Sequence, residues 1–144
     1  MSEITVSEIT TSEITTSNTV YKILLFMKRR PDMSKEEFRD YYENHHVPLA
    51  LKYASGLKQY LRRYLDPQPR LETGDGEDLG YDVVTELWFD DEKIFKGTLK
   101  YFATATMPDD VTEDEKQLFD RDSIRIATAV EYVTKPDLVD GHAL

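Results

Sequence analysis

A chain of 144 residues with 40% hydrophobic content is long enough for one domain with a continuous core and short for two. It has no cysteine, which excludes disulfides, a thiolate nucleophile and cysteine-ligated metal sites, and which favours an intracellular location. The formal charge is -10. Such a balance disfavours nucleic acid as a partner, because a phosphate-binding surface is basic.

Two segments carry nearly all of this charge. Residues 66–79 hold five acids against Arg70, and residues 109–122 hold seven acids against Lys116 and Arg121, which gives -4 and -5. Both are interpreted as solvated surface connections. The chain also lacks the roughly eighteen consecutive apolar residues of a membrane span and a secretory N-terminal pattern, so we expect a soluble, cytoplasmic protein with no membrane partner.

The N-terminus is a polar repeat of period five, SEITV, SEITT, SEITT and SNTV. Its Ser, Thr and Glu content predicts a tail without a fold of its own, although alternating Ile and Thr also allow pairing with a sheet edge. We therefore predict a tail at 1–19, a folded domain at 20–134 and a C-terminal tail at 135–144.

The segment that follows, YKILLFMKRR, is typical of a strand buried on both faces. Ile23, Leu25 and Met27 point to one face, and Leu24 and Phe26 to the other. Ser34 and Glu37 then have the spacing of a capping box.

The capping box predicts a helix with an apolar face, which Pro48 either ends or divides. The residues of that face are Phe38, Tyr41, Tyr42, His45 and Leu49.

The remaining pattern predicts strands at 57–65, 81–89 and 123–133, helices at 90–102 and 113–119, and a long loop at 66–80. The order β-α-β-β-α-β predicts an α+β, ferredoxin-like fold, with four antiparallel strands and the helices on one face. The second sheet face is then uncovered and apolar, so we expect a two-fold homodimer.

Residues 28–64, KRRPDMSKEEFRDYYENHHVPLALKYASGLKQYLRRY, resemble the EthD-domain family of the dimeric α+β barrel superfamily. They match its motifs S-x-E-x-F-x-x-Y-Y-x-x-x-H-x-P-L and G-L-x-x-Y, and the resemblance extends from Tyr21 to Val133. It implies a small-molecule pocket between helices and sheet. It also implies cofactor-free chemistry on aromatic polyketides of filamentous fungi, by decarboxylation, dehydration or cyclisation, or phenol oxidation as in related barrels.

His45 and His46 are the main candidates for chemistry, because imidazole with a pKa of about 6.5 serves as acid or base near neutral pH. Adjacent helical residues point about 100° apart, so one of the two is favoured. Helical periodicity favours His45, whereas the family motif favours His46, and we follow the motif. The structural alternative is that one histidine packs and the other is a solvated residue near a helix end.

Other polar and aromatic side chains have two interpretations each. Tyr41 and Tyr42 either donate hydrogen bonds to a substrate or pack in the core. Asp82, Glu86 and Trp88 share one strand face and either serve a base or lie at the surface. Tyr60, with Arg62 and Tyr64, either binds an anionic aromatic ligand or fills the sheet.

The sequence therefore predicts a catalytic set and a substrate-binding set. The catalytic set is His46, His45 and Tyr41. The substrate-binding set is Tyr42, Tyr60, Asp82, Glu86, Trp88 and Phe26.

No metal or cofactor is expected, since the histidines are adjacent rather than three or four residues apart and no glycine-rich phosphate loop is present. The leading hypothesis is a cofactor-free lyase, a decarboxylase or dehydratase, acting on an aromatic polyketide-type substrate. The alternatives are a cyclase or cofactor-independent oxygenase, or a binder of hydrophobic small molecules without turnover.

Overall fold

Four antiparallel strands form one sheet in the computed structural model, which describes residues 19–138. The repeat at 1–18 and residues 139–144, and with them most of the two predicted tails, lie outside the described residues. The strands are β1 (Tyr21–Arg29), β2 (Gln59–Tyr64), β3 (Val83–Phe89) and β4 (Phe119–Thr128). Their order across the sheet is β2-β3-β1-β4, with every pair antiparallel, which confirms the predicted ferredoxin-like α+β fold.

The helices lie in two segments of the chain, one between β1 and β2 and one between β3 and β4. They are α1 (Lys35–Tyr41), a π-helical turn (Tyr42–His46), α2 (Val47–Leu51), α3 (Glu92–Thr104) and α4 (Asp109–Lys116), with a 3₁₀ turn at Pro136–Leu138. Within residues 19–138, none of them has the length and apolar character to cross a membrane.

The predicted capping box is present at the start of α1. The Ser34 hydroxyl accepts from the Glu37 N–H, and the Glu37 carboxylate accepts from the Ser34 N–H. Two backbone donors that have no partner inside the helix are satisfied in this way, which fixes where the chain turns into the helix.

The π-helical turn decides which histidine faces the core. Pro48 has no N–H for the Asn44 carbonyl, and its ring would clash with that carbonyl in a continuous α-helix. The widened turn removes the conflict, and the Val47 N–H instead reaches the carbonyl of Tyr42, five residues back. The extra residue in the turn shifts the helical phase, so His46 is buried and His45 is exposed.

The core lies between the helices and one face of the sheet. Ile23 and Met27 of β1 and Val83 and Phe89 of β3 are buried there, in agreement with the predicted placement of Ile23 and Met27 on one face of β1. Phe38 packs edge-on against the rings of Tyr42, Tyr64 and Phe119.

The last helix and strand begin earlier than predicted. Helix α4 starts at Asp109 rather than 113, and β4 starts at Phe119, which was assigned to the helix, and ends at Thr128 rather than 133. Strand β4 is an edge strand, in which Asp122 is exposed and Asp120 is half-buried while Phe119 fills the core. Three of the four residues at 120–123 are charged, so the sequence does not show the alternation of apolar and polar residues that predicts a strand.

Candidate active site

A cavity of about 710 Å³ lies between the sheet and the helices. Its lining is mainly apolar, with Leu25, Leu87 and Phe89 from the sheet and Ala50, Ile94 and Phe102 from the helices. Cavities of this size and character are typical of small-molecule sites. Its polar lining residues include His46, Tyr60, Glu115 and Arg121.

His46 lies in the wall of this cavity and is 6% exposed. Its ring contacts Tyr42 and Phe119 edge-on, at centroid distances of 5.2 and 5.6 Å. Its Nδ1 lies 2.9 Å from Oδ2 of Asp114. The imidazole is therefore held by aromatic rings and by one carboxylate.

Asp114, on α4, joins two of the predicted catalytic residues. Its Oδ1 accepts a hydrogen bond of 2.6 Å from the Tyr41 hydroxyl, while Oδ2 faces His46. A carboxylate only accepts hydrogen bonds, so Nδ1 of His46 donates to Asp114 and Nε2 is the ring nitrogen left for a ligand. Among the described residues Nε2 has no hydrogen-bond partner, and it is not sealed from the cavity.

Tyr41 contacts Asp114 rather than the cavity. Burial and the hydrogen bond to Asp114 raise the pKa of Tyr41 to about 12, so its phenol stays protonated and remains a donor. Tyr41 does not line the cavity. The structure thus assigns it a positioning contact.

Tyr42 and Tyr60 do line the cavity, as two of the predicted substrate-binding residues. The Tyr42 hydroxyl lies 2.6 Å from Oγ1 of Thr85, and burial raises its pKa well above the usual value. Burial also raises the pKa of Tyr60. Both hydroxyls therefore remain neutral donors at physiological pH.

Arg62 does not fulfil the anion-binding role that the sequence suggested. Its Nε and Nη2 donate to the two carboxylate oxygens of Glu43, at 2.9 and 2.6 Å, and Nη1 donates to the Tyr60 carbonyl at 2.8 Å. The Arg62 hydrogen bond holds the pKa of Glu43 below its usual value. Tyr64 also donates to Glu43, so this cluster ties β2 to the π-helical turn.

His45 is separated from the cavity. It is exposed, and its ring stacks on Tyr41 at a centroid distance of 4.7 Å. The periodicity that favoured His45 fails because the π-helical turn changes the helical phase after Tyr41.

Four predicted substrate-binding residues also lie away from the cavity. Glu86 and Trp88 alternate with Thr85 and Leu87 on β3 and therefore face the opposite side of the sheet, as does Phe26 on β1. Burial opposes ionisation of Glu86, but hydrogen bonds from Arg63 and Trp88 outweigh it and lower the pKa.

Asp82 neither lines the cavity nor contacts a histidine. Its carboxylate accepts from the Arg29 N–H at 2.9 Å and from Nη1 of Arg29 at 2.7 Å. This pair joins β1 to the segment entering β3. Within residues 19–138, no three His, Asp or Glu side chains are close enough to hold a metal ion.

Sequence reasoning missed Asp114. It lies in the acidic run DDVTEDEK and is one of seven acids in 109–122, all of which the sequence assigns alike to a solvated surface. Only the packing of α4, anchored by buried Val111, selects Asp114 for His46. No local signal in the sequence distinguishes it from Glu113 or Asp110.

A family model for the EthD domain matches residues 30–122. The chain belongs to the EthD-domain family. The matched range contains β2, β3, all the helices of the site and both His46 and Asp114. No curated protein shows significant sequence similarity to this EthD-domain chain.

Solved structures share its fold at low sequence identity. An EthD-like protein from Ralstonia eutropha matches with a TM-score of 0.50 and 13% identity, over 82% of this chain and 96% of that one. An EthD family protein from Bacillus halodurans has a TM-score of 0.49 and 17% identity, over 79% and 100%. A hydroxynitrile lyase from Passiflora edulis has a TM-score of 0.44 and 14% identity, over 81% and 97%.

We predict that Asp114→Asn changes the tautomer of His46. The wild-type carboxylate accepts only from Nδ1–H, whereas an amide also donates and so stabilises the Nε2–H tautomer. Long-range ¹H–¹⁵N spectra of the imidazoles should show Nδ1–H in the wild type and an increased Nε2–H population in the variant. Asp109→Asn, an exposed acid of the same helix, is the matched control and should leave the spectrum unchanged. Identical spectra for Asp114→Asn would contradict the assignment.

Alkaline pH should lower the stability of the fold, because the pKa of Tyr41 is higher in the folded chain than in the unfolded one. Tyrosine has a usual pKa of 10.0, and that of Tyr41 is raised to about 12 in the folded chain. Above pH 10 the unfolded chain therefore binds fewer protons, so stability falls as pH rises from about 10 to about 12. Urea midpoints at about pH 8 and about pH 11 measure this loss. Tyr41→Phe should show a smaller loss between the two pH values, and an equal loss would refute the role of Tyr41.

Proposed function

We propose that this EthD-domain protein is a cofactor-independent lyase that acts on an aromatic polyketide-type substrate, with His46 as the general acid and base. The observation that carries the proposal is the buried His46–Asp114 pair in the wall of a largely apolar cavity. Such a pair supplies a proton-transfer group in the wall of a largely apolar cavity.

His46 has the features that proton transfer requires. Asp114 holds Nδ1–H, so the Nε2 lone pair accepts a proton, and the carboxylate stabilises the imidazolium that forms. In dehydration, Nε2 removes a proton beside a carbonyl and returns it to the departing hydroxyl, which leaves as water. In decarboxylation, Nε2 takes the proton of the substrate carboxyl group, the electron pair of the C–C bond moves towards the carbonyl as carbon dioxide leaves, and the imidazolium returns the proton to the carbon of the resulting enolate.

Both reactions pass through an enolate, which needs hydrogen-bond donors. Tyr60 is the best placed donor, because it lines the cavity and its raised pKa keeps the hydroxyl protonated. Tyr42 also lines the cavity, but its hydroxyl is engaged with that of Thr85. Preorganised donors in an apolar site typically contribute several kcal/mol to the stabilisation of such charge.

A non-catalytic binder of hydrophobic small molecules is the second candidate. The volume of about 710 Å³ and the apolar lining favour it as much as they favour an enzyme. The two candidates differ in the role of His46, which is chemical in the lyase and structural in the binder.

We expect His46→Ala to abolish turnover of an anthrone or a hydroxynaphthoic acid, with loss of about 10²–10⁴-fold in rate, because the proton-transfer group is removed. Release of carbon dioxide or water is the measured quantity. Oxygen uptake is recorded in parallel, since consumption of oxygen would instead indicate a cofactor-independent oxygenase.

His45→Ala is the matched control and should retain activity, because His45 is exposed and lies outside the cavity. Circular dichroism establishes that both variants are folded. A wild-type protein that is stabilised by the ligand without turnover would support the binder and reject the lyase.

We further propose a homodimer formed through the sheet face opposite the helices. Five half-buried apolar side chains lie on this face, and charges of both signs, Lys22, Arg63 and Glu86, lie among them. Exposed Val130, Tyr132 and Val133 follow β4 beside it. A second copy covers this surface economically, because opposite charges meet across a two-fold axis. The five apolar residues are Leu24, Phe26, Leu61, Val84 and Trp88.

Phe26→Glu should convert the dimer to a monomer, since it introduces like charges on both sides of the proposed interface. Sedimentation velocity measures the change in mass. Leu71→Glu introduces the same charge in an exposed loop and should leave the dimer intact. A wild-type chain that sediments as a monomer would remove the proposal.

A further inference from the structure

Arg121 is the single lysine or arginine among the described residues that line the cavity. It lies on β4, in a segment whose overall charge is negative, and it borders a space formed mainly by apolar side chains. A cation in such a place lowers the cost of bringing a negative ligand group out of water.

The guanidinium of Arg121 is only partly engaged within the chain. Its Nε donates to Oε1 of Glu115 at 3.1 Å, and among the described residues Nη1 and Nη2 have no hydrogen-bond partner. The side chain is 40% exposed, whereas that of Glu115 is 14% exposed. The Glu115 contact therefore orients the guanidinium and leaves its outer nitrogens free. Arg62, in contrast, uses all three nitrogens within the chain.

Arg121 and His46 both line the cavity. Adjacent residues of α4 hold the two groups, since Asp114 contacts His46 and Glu115 contacts Arg121. Phe119, which contacts the His46 ring edge-on, lies two residues before Arg121 in β4, where the pairing with β1 shifts register between Asp120 and Arg125. Both groups therefore line one cavity of about 710 Å³, a volume that accommodates an aromatic ligand.

We propose that Arg121 binds a carboxylate of the ligand and so selects aromatic carboxylic acids. The two outer nitrogens of a guanidinium match a carboxylate in a bidentate arrangement. The aromatic part of the ligand rests on the proposed function, while the carboxylate is inferred from Arg121 alone. The cavity thus has an anion-binding group beside a proton-transfer group, and an apolar remainder for the ring system.

The test compares a hydroxynaphthoic acid with its carboxamide by isothermal titration calorimetry. The two probes share ring and shape, but only the acid is charged. Wild-type protein should bind the acid about tenfold more tightly, or better, because a hydrogen bond between two charged groups is stronger than one to a neutral amide. Arg121→Gln should remove this preference and leave carboxamide affinity unchanged.

Arg125→Gln is the matched control, because Arg125 lies on the same strand, is exposed and faces away from the cavity. It should keep the preference for the acid. If Arg121→Gln alone does not fold, Arg121→Gln combined with Glu115→Gln removes both charges of the pair and should show the same loss.

Equal affinities of the wild type for acid and carboxamide, or an unchanged preference in the Arg121 variants, would overturn the proposal. These outcomes are separable from failure of the lyase hypothesis, since binding is measured rather than turnover. Acid selectivity without turnover would support Arg121 and leave a binder of carboxylic acids.

Discussion

The carboxylate of Asp114 is the contact on which the candidate site depends. It accepts from Tyr41 and from His46, which lie on different parts of the first helical segment, and it belongs to α4, more than sixty residues further along the chain. The contact therefore fixes the imidazole and holds α4 against that segment at once. Without it, Nδ1 of the histidine has no hydrogen-bond partner among the described residues, and α4 loses two contacts to the first helical segment. Asp114 is therefore both a packing contact of α4 and the hydrogen-bond partner of the candidate catalytic histidine.

The π-helical turn explains why this contact forms at His46. A regular α-helix through Pro48 would lose a hydrogen bond and place the proline ring against the Asn44 carbonyl. The widened turn brings Phe38, Tyr42 and His46, spaced by four, onto one buried face. Single π turns are often found at functional sites because they re-aim one side chain without breaking the helix. In this chain the proline supplies the reason for the turn.

Local patterns predicted the architecture well and the site incompletely. Strand alternation in β1 and the Ser34–Glu37 capping box are encoded by nearby residues, so both were readable from sequence. The orientations of His45 and His46 depend on the π-helical turn, whereas the periodicity argument assumed a regular α-helix. The prediction that Glu86 and Trp88 share one face of the sheet was also correct. Strand alternation does not tell, however, which of the two faces the helices cover. Asp114 required the packing of α4, which no short-range pattern contains.

The position of Arg121 bears on which lyase reaction the cavity favours. A guanidinium that holds a carboxylate stabilises it in the bound substrate, and this raises the barrier for losing the same carboxylate as carbon dioxide. Taken together, the two proposals imply that a carboxylate held by Arg121 would serve for recognition and would be retained in the product. Proton transfer at His46 then fits dehydration, in which the base removes a proton beside a carbonyl and the same imidazolium assists the leaving hydroxyl. Decarboxylation instead requires that the departing carboxylate lie against the apolar walls, away from β4, where desolvation promotes its loss.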